Sequence, residues 1–324
     1  MKVQKTPQRH HGLGRNLRRL GARLYRRLEP NFIVERGPGW ISYRGERTVF
    51  LRRGTDIPRR GIYLRGACDM PSLFTLAPMV IDDLYGSLCI HTSGRGVAQA
   101  RSDLLLQTYS GVSQGFVDEL QTRFELPPAS FAPTLFEPSF SVPGLPGSAA
   151  FPKTVVVLSI LPDLTRSVYR HRRSGSLVDP GTAWLSNLAS ALANLSMAKW
   201  FRENFESVGR ISVGQFAENY RQLIPAIKRE TGAHVLVFNS LDIEPLDPTH
   251  NYSLRNLASA SRRRRFNIAL AELAQELDFH VVDVDRVLKE QGVDRQVDFS
   301  HFPVDRMRAV AREAYGILCD LSVL

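Results

Sequence analysis

Three residues have side chains of the types that nucleophilic catalysis uses, a thiol, an imidazole and a carboxylate. Cys68 follows the short apolar run 61–65, and Asp298 and His301 lie three positions apart just before the last helical pattern of the chain. A thiol is more acidic than an alcohol, and its thiolate attacks acyl carbon readily. A histidine can take the thiol proton and return it to the leaving group while a carboxylate orients the ring. The alternatives are a small buried cysteine and an aspartate that caps a helix.

Short apolar strand patterns alternate with long helical patterns from residue 61 onward. The predicted strands cover 61–65, 87–91, 153–160, 234–238 and 279–283, and the predicted helices cover about 72–85, 97–125, 183–205, 213–231, 254–277 and 303–321. A Pro-rich insertion at about 127–152 is expected to be an irregular crossing loop. Crossovers of this length favour parallel pairing in a doubly wound α/β sheet. Such sheets bind ligands beyond the carboxyl ends of their strands, so we expect the functional residues there.

The residues at these strand ends resemble the SGNH, or GDSL-like, hydrolases over roughly residues 60–322. A nucleophile at the tip of the first strand and an Asp-x-x-His pair before the last helix have the order and spacing of that family. The resemblance implies an α/β domain with three α/β/α layers around a flavodoxin-like five-stranded parallel sheet. It also implies cleavage or transfer of an acyl group by a triad of Cys68, His301 and Asp298, with Gly66-Ala67-Cys68 standing where the family has Gly-Asp-Ser.

The same resemblance indicates which residues would bind the oxyanion, and here the chain departs from the family. Gly94 and Gly96 follow the second strand and could supply an amide, although a simple turn is the alternative. The family's Gly-x-Asn-Asp block after the third strand has Pro162 in place of the Asn. Asp163 matches the acid of that block and could orient the loop, since an ionised carboxylate only accepts hydrogen bonds. Asn239, after the fourth strand, is a further substrate-binding candidate.

The net charge of +10 belongs to the N-terminal region. Residues 1–65 carry 17 basic and four acidic residues, whereas the other 259 residues carry 25 basic and 28 acidic ones. Within residues 13–28, five leucines fall on one helical stripe with arginines between them, which predicts a basic amphipathic helix. It suits an anionic membrane surface or an acidic partner. A helix packed on the body and a solvated tail are the alternatives. We do not expect the slightly acidic body to bind nucleic acid.

Composition and hydropathy exclude several classes of protein. The three cysteines are far apart and odd in number, so neither a disulfide framework nor a zinc site is indicated, and we expect no metal and no cofactor. The sequence contains neither a signal-peptide core nor a 20-residue apolar segment. We therefore expect a cytoplasmic protein that residues 13–28 could hold at a membrane. Residues 1–60 are predicted to form a basic arm with an irregular lead-in, and residues 61–324 the SGNH-like domain.

Two arginine-rich segments have weaker interpretations. Residues 169–174 could place cations near the mouth of the site, or form a solvated loop. The run of four arginines at 262–265 lies within a helical pattern and is predicted to be a solvated turn of that helix.

The sequence supports two functions. The first is an SGNH-like acyl hydrolase or acyltransferase that acts on an ester or thioester of a small molecule or glycan. The second is a non-catalytic SGNH-fold binding protein, with the basic arm docking it to a membrane or an acidic partner; the altered first and third blocks favour it.

Overall fold

The computed structural model describes twelve stretches of the chain. They are residues 32–37, 40–44, 48–52, 60–66, 70, 88–92, 101–124, 130–141, 150–179, 195–243, 259–292 and 303–323. The predicted helix at 72–85 and the arm helix at 13–28 lie outside these residues.

Twelve strands and eight helices occur in the described residues. The strands are β1 (Phe32–Gly37), β2 (Trp40–Arg44), β3 (Thr48–Arg52), β4 (Arg60–Arg65), β5 (Leu88–Thr92), β6 (Ser139–Phe140), β7 (Phe151–Ser159), β8 (Val168–His171), β9 (Leu177–Val178), β10 (Phe205–Gly209), β11 (His234–Phe238) and β12 (His280–Val282). The helices are α1 (Ser102–Ser110), α2 (Gln114–Phe124), α3 (Leu161–Thr165), α4 (Leu195–Asn204), α5 (Val213–Thr231), α6 (Ser259–Leu277), α7 (Val284–Gln291) and α8 (Val304–Asp320).

Five parallel strands form the centre of the main sheet in the order β5-β4-β7-β11-β12. These are the five strands predicted from the sequence, and their order is that of a flavodoxin-like doubly wound sheet. The prediction of the fold class is therefore confirmed. The alternation of the chain between strands and long crossovers produces this order because each parallel pair needs a helix-sized connection.

Helices cover both faces of the parallel strands. One apolar cluster joins Val156 and Leu158 of β7 to residues of α1, α5 and α6, and another joins Val155 and Val157 to residues of α7 and α8. These four consecutive side chains of β7, residues 155–158, are therefore all buried. A continuous run of β-branched and aliphatic residues is what a strand covered on both faces requires.

The N-terminal strands differ from the expected irregular lead-in. β1, β2 and β3 pair antiparallel with one another, and β3 pairs antiparallel with β5, so they extend the sheet beyond its parallel part. Each strand is only five or six residues long. Each contains a short run of two or three apolar β-branched, aliphatic or aromatic residues, which is too short to stand out in this highly charged region.

Helices α4, α5, α6 and α8 lie within regions predicted to be helical, whereas the short helices α3 and α7 were not predicted. The helical region expected at 97–125 is divided into α1 and α2 at Gly111, whose φ of 88° is in the left-handed region that glycine tolerates. Gly115 lies inside α2. Helix α5 covers the predicted residues 213–231; Ser212 caps its first turn through Gln215, and Gly232 ends it at a φ of 67°.

The basic segment 169–174 forms part of a second, smaller sheet rather than a loop. β8 pairs with β9 and β10 in a three-stranded antiparallel sheet, and the turn after β8 contains the remaining residues of the segment. The side chains of Arg170 and Arg172 are half exposed and lie 3.6 and 3.3 Å from the carboxylate of Glu206. His171 is buried, and its Nδ1 lies 2.9 Å from Ser174 Oγ. Burial lowers the pKa of His171.

Candidate active site

The structure describes two of the seven predicted site residues. Cys68, Asp298 and His301, the predicted triad, and Gly94 and Gly96, the predicted amide donors, lie outside the described residues. Their roles stay predictions. Asp163 and Asn239 are both described, and both lie just after parallel strands.

The carboxyl ends of the three central strands lie side by side. Arg65, the last residue of β4, is paired with Leu158 of β7, and Phe238, the last residue of β11, is paired with Ser159. The segment that contains Cys68 begins directly after Arg65. β4 itself ends between β5 and β7, at the carboxyl edge where doubly wound sheets bind their ligands.

The turn after β4 is tightly packed against β7. A Cβ placed on Gly66 would be 2.8 Å from Ser159 Cβ and 3.1 Å from its backbone nitrogen, and only 2.2 Å from the terminal methyl of Met70. Met70 is buried, so its side chain folds back over Gly66. Glycine is required here for close approach of the two strand ends, not for an unusual φ.

The block after β7 forms the short helix α3. The Leu161 N–H donates to Ser159 Oγ at 3.1 Å, and Pro162 lies in the first turn, where its missing N–H removes no helical hydrogen bond. Pro162 is buried within this turn. Since proline has neither a backbone N–H nor a polar side chain, position 162 supplies no oxyanion donor.

Asp163 connects α3 to the start of α1. Its Oδ1 accepts hydrogen bonds from the backbone N–H of Ser102 at 3.0 Å and from Ser102 Oγ at 2.7 Å. Asn219 of α5 lies 2.9 Å from the same hydroxyl. Burial raises the pKa of Asp163 to about 7, and the two Ser102 hydrogen bonds oppose the rise. A titratable group with a pKa near neutrality at a strand end is a feature typical of functional sites.

Arginines hold the backbone around Asp163. Arg262 donates to the carbonyls of Asp163, Leu164 and Ile211 at 2.9, 3.1 and 2.7 Å. Arg101 is buried; it donates to the carbonyls of Arg166 and Gly209 and pairs with Asp103. These contacts fix the end of α3 from two sides.

The prediction that residues 262–265 form a solvated turn was therefore wrong for three of the four arginines. Arg262 holds the α3 carbonyls, Arg263 is buried, and Arg264 pairs with Asp242 at 3.0 Å; among the four, Arg265 is the exposed residue. A helix that packs one side against the core places only part of a four-residue run in water. A run of like charges in the sequence does not show that carbonyl groups and a carboxylate lie within hydrogen-bonding distance of the arginines.

Asn239 links the ends of β11 and β12. Its Nδ2 donates to Asp283 Oδ1 at 2.7 Å, and its Oδ1 accepts from the Asp285 N–H at 3.1 Å. The side chain therefore orients the turn that starts α7. One amide hydrogen remains after these contacts, and substrate binding by Asn239 stays a prediction.

A charged network lies beside Asn239 at the same edge of the sheet. Lys289 lies 2.8 Å from Asp242 Oδ1 and 2.5 Å from Asp285 Oδ2. Burial acts to raise the pKa of Asp242, but hydrogen bonds from Lys289 and Arg264 outweigh it and the pKa is lowered. Burial raises the pKa of Asp285 despite its bond to Lys289. Each charge in the network has an opposite neighbour, which is the condition for burying charges without a large penalty.

Sequence reasoning did not single out Ser102, Arg262 or Arg65 as residues of this edge. Ser102 contacts Asp163 across 61 positions, which no local pattern reveals. Arg65 did carry a signal, because it is a charged residue directly after the apolar run 62–64 of β4.

The described stretches contain neither a metal-binding cluster nor a membrane-spanning helix. No cluster of three or more His, Cys, Asp or Glu side chains with the geometry of a metal site occurs among the described residues. None of the helices there combines the length and apolar character needed to cross a membrane.

Solved structures to which the chain is similar are hydrolases. A protein assigned as an SGNH hydrolase from Slackia heliotrinireducens aligns at 14% identity and a TM-score of 0.39, covering 80% of this chain and 98% of its own. An acetylxylan esterase from Geobacillus stearothermophilus aligns at 10% identity and a TM-score of 0.39, over 81% and 95%. A phospholipase from Streptomyces albidoflavus aligns at 10% and 0.34, over 81% and 99%. No family model matches the chain, and no curated protein sequence matches it significantly.

Proposed function

We propose that the chain is an acyl hydrolase or acyltransferase of the SGNH type that acts on an ester or thioester. Cys68 would attack the acyl carbon, His301 would act as its base, and Asp298 would orient His301. The strand order carries this proposal: β4 is flanked by β5 and β7 in the parallel sheet, so the Cys68 segment starts at the ligand-binding edge.

The packing around the two candidate segments supports their convergence. Met70, two residues after Cys68, belongs to the same buried apolar cluster as Met307 and Val310 of α8. Helix α8 begins at Val304, three residues after His301. The chain on one side of each candidate residue is thus anchored in a common core.

The proposed reaction has two acyl-transfer steps. The thiolate attacks the carbonyl carbon, the carbon to leaving-group bond breaks, and the imidazolium protonates the departing alcohol or thiol. Water or an acceptor hydroxyl then gives its proton to the imidazole and attacks the thioester, which releases the cysteine. Hydrolysis and transfer differ only in this second nucleophile. We propose a small-molecule or glycan acyl ester as the substrate class.

The buried Pro162 favours a second candidate, a non-catalytic binding protein of the same fold. Loss of one oxyanion donor typically removes about 2.7–4 kcal/mol of transition-state stabilisation. An enzyme with this block would depend on the amides near Cys68 and on those of Gly94 or Gly96. In the binding-protein alternative, residues 13–28 would dock the chain to a membrane or an acidic partner.

Kinetics on a panel of aryl esters and acyl thioesters distinguish the two candidates. We expect Cys68→Ala and His301→Ala to reduce kcat/KM by at least a hundredfold. Cys319→Ala is the matched control, because Cys319 is an exposed free thiol on α8. Equal rates for the wild type, Cys68→Ala and His301→Ala would contradict the catalytic proposal. A folded protein that is inactive on the whole panel would favour the binding protein.

A further inference from the structure

The most unusual buried group at the carboxyl edge is the guanidinium of Arg65. The residue is 2% exposed, and its Nε and Nη1 have no hydrogen-bond partner among the residues that the structure describes. Its position as the last residue of β4 places it three residues before Cys68. Burial lowers the pKa of Arg65, and the Tyr63 hydroxyl opposes this through a hydrogen bond. A tyrosine hydroxyl is a neutral partner, so it does not compensate the positive charge.

Two other arginines at this edge, one buried and one partly buried, show what a structural role requires. The guanidinium of Arg101 donates to two carbonyls and to both oxygens of Asp103, and that of Arg262 donates to three carbonyls. Each of these residues connects chain segments that are distant in sequence. Among the buried arginine side chains that the structure describes, Arg65 has two unpartnered nitrogens where others have at most one.

The surroundings of Arg65 add positive charge. Lys153 is buried on the same face of the sheet, with its Nζ 4.3 Å from the centre of the Tyr63 ring and bonded to the carbonyls of Thr134 and Leu135. Burial, together with the charge of Arg65, lowers the pKa of Lys153 to about 8. Among the described residues, the acid that acts on Lys153 is Glu137, and it is exposed at the surface. Two cations thus share a largely apolar part of the core.

A buried guanidinium without compensation is costly, and an anion is the group that removes the cost. Charged oxygens accept shorter and stronger hydrogen bonds from guanidinium nitrogens than neutral ones do, and Arg recognises carboxylates and phosphates in particular. We propose that Arg65 binds a carboxylate or phosphate group of the substrate, so that the enzyme prefers acyl esters that carry a negative charge. This inference rests on the proposed function and specifies its substrate class.

Binding of a simple anion tests the site without any turnover. We expect inorganic phosphate or sulfate to raise the Tm of the wild type more than that of Arg65→Met at equal ionic strength. Without these anions, Arg65→Met should melt at the same temperature as the wild type or higher, because it removes an uncompensated charge. Arg101→Met is the matched control: it removes a satisfied guanidinium, so it should lower the Tm but keep the anion-dependent rise. The proposal is wrong if Arg65→Met keeps the full rise.

Substrate preference tests the functional half of the inference. The probes are 4-nitrophenyl acetate and the mono-4-nitrophenyl esters of succinate and glutarate, with acetyl phosphate as a donor whose charge lies on the leaving group. We expect the ratio of kcat/KM for the best charged probe over the neutral ester to fall about tenfold to a hundredfold in Arg65→Met. Arg65→Lys should fall between the wild type and Arg65→Met. The charged probe whose kcat/KM ratio falls shows whether Arg65 binds the acyl group or the leaving group.

The two proposals fail in different ways. If Arg65→Met is active and its ratio of kcat/KM for charged over neutral esters is unchanged, substrate binding by Arg65 is contradicted. Catalysis by Cys68 is not contradicted by that result. Activity that survives in Cys68→Ala contradicts the proposed mechanism, whereas the anion-dependent Tm still reports on Arg65.

Discussion

Replacing Asp163 by Asn changes a buried charge without changing the shape of the site. The remaining side-chain oxygen can still accept both hydrogen bonds from Ser102. Burial raises the pKa of Asp163 from 3.8 to about 7 in the folded protein. Between these pH values the folded chain keeps a proton that the unfolded chain has released. The free energy of unfolding therefore falls as the pH rises through this window, and the Asn variant lacks that fall.

The pKa difference sets the size of the effect. A difference of about three pH units corresponds to about 4 kcal/mol of stability that is fully lost above pH 7. Somewhat under half of this loss is already present at pH 5, because the unfolded carboxyl ionises near pH 4. We expect the stability of Asp163→Asn relative to the wild type to increase by about 2–3 kcal/mol between pH 5 and pH 8.

Urea unfolding at 25 °C at pH 5, 6, 7 and 8 measures this difference. Asp278→Asn is the matched control, because the Asp278 side chain is 95% exposed and the chemical change is the same. Its stability relative to the wild type should stay constant within about 0.5 kcal/mol. A stability difference between Asp163→Asn and the wild type that is equal at pH 5 and pH 8 would refute the assignment of a raised pKa to Asp163.

Two further substitutions test the packing at the carboxyl edge. Arg262→Ala should lower the free energy of unfolding by about 2–4 kcal/mol, since three carbonyls lose a charged donor. Arg312→Ala, at an exposed position of α8, should change it by less than about 0.5 kcal/mol in the same urea titration. Gly66→Ala should cost about 1–3 kcal/mol because its methyl group would overlap Ser159, whereas Gly316→Ala in α8, where the space is open, should stabilise by about 0.5–1 kcal/mol. Equal melting temperatures for the two glycine variants would contradict the tight packing after β4.

The parallel core could be predicted from the sequence because its signals are local. The apolar run of β7 and the 19-residue pattern of α5 each indicate their own structure, and the lengths of the crossovers indicate parallel pairing. The small sheet of β8, β9 and β10 was missed for the opposite reason. β9 has two residues, and β10 pairs with a strand more than 30 residues earlier, so pairing rather than composition creates it.

The candidate site was predictable in position and less so in detail. Strand ends located Asp163 and Asn239 at the edge of the sheet, but not the partners that determine what they do. Asp163 meets Ser102, and Ser102 meets Asn219, only after α1 and α5 pack over β7, and Asn239 meets Asp283 only when β11 and β12 pair. Such contacts depend on tertiary packing, which sequence periodicity does not contain.

Trapping the acyl-enzyme tests the proposed chemistry most directly. The protein is mixed with an aryl ester that has a good leaving group, quenched in acid within the first turnover, digested and analysed by mass spectrometry. We predict a single acyl group on the peptide that contains Cys68, its loss in Cys68→Ala, and at least tenfold slower formation in His301→Ala, with Cys319 unmodified. Rapid turnover of the ester without an acyl group on Cys68, or with the same rate in Cys68→Ala, would contradict a cysteine-based acyl transfer.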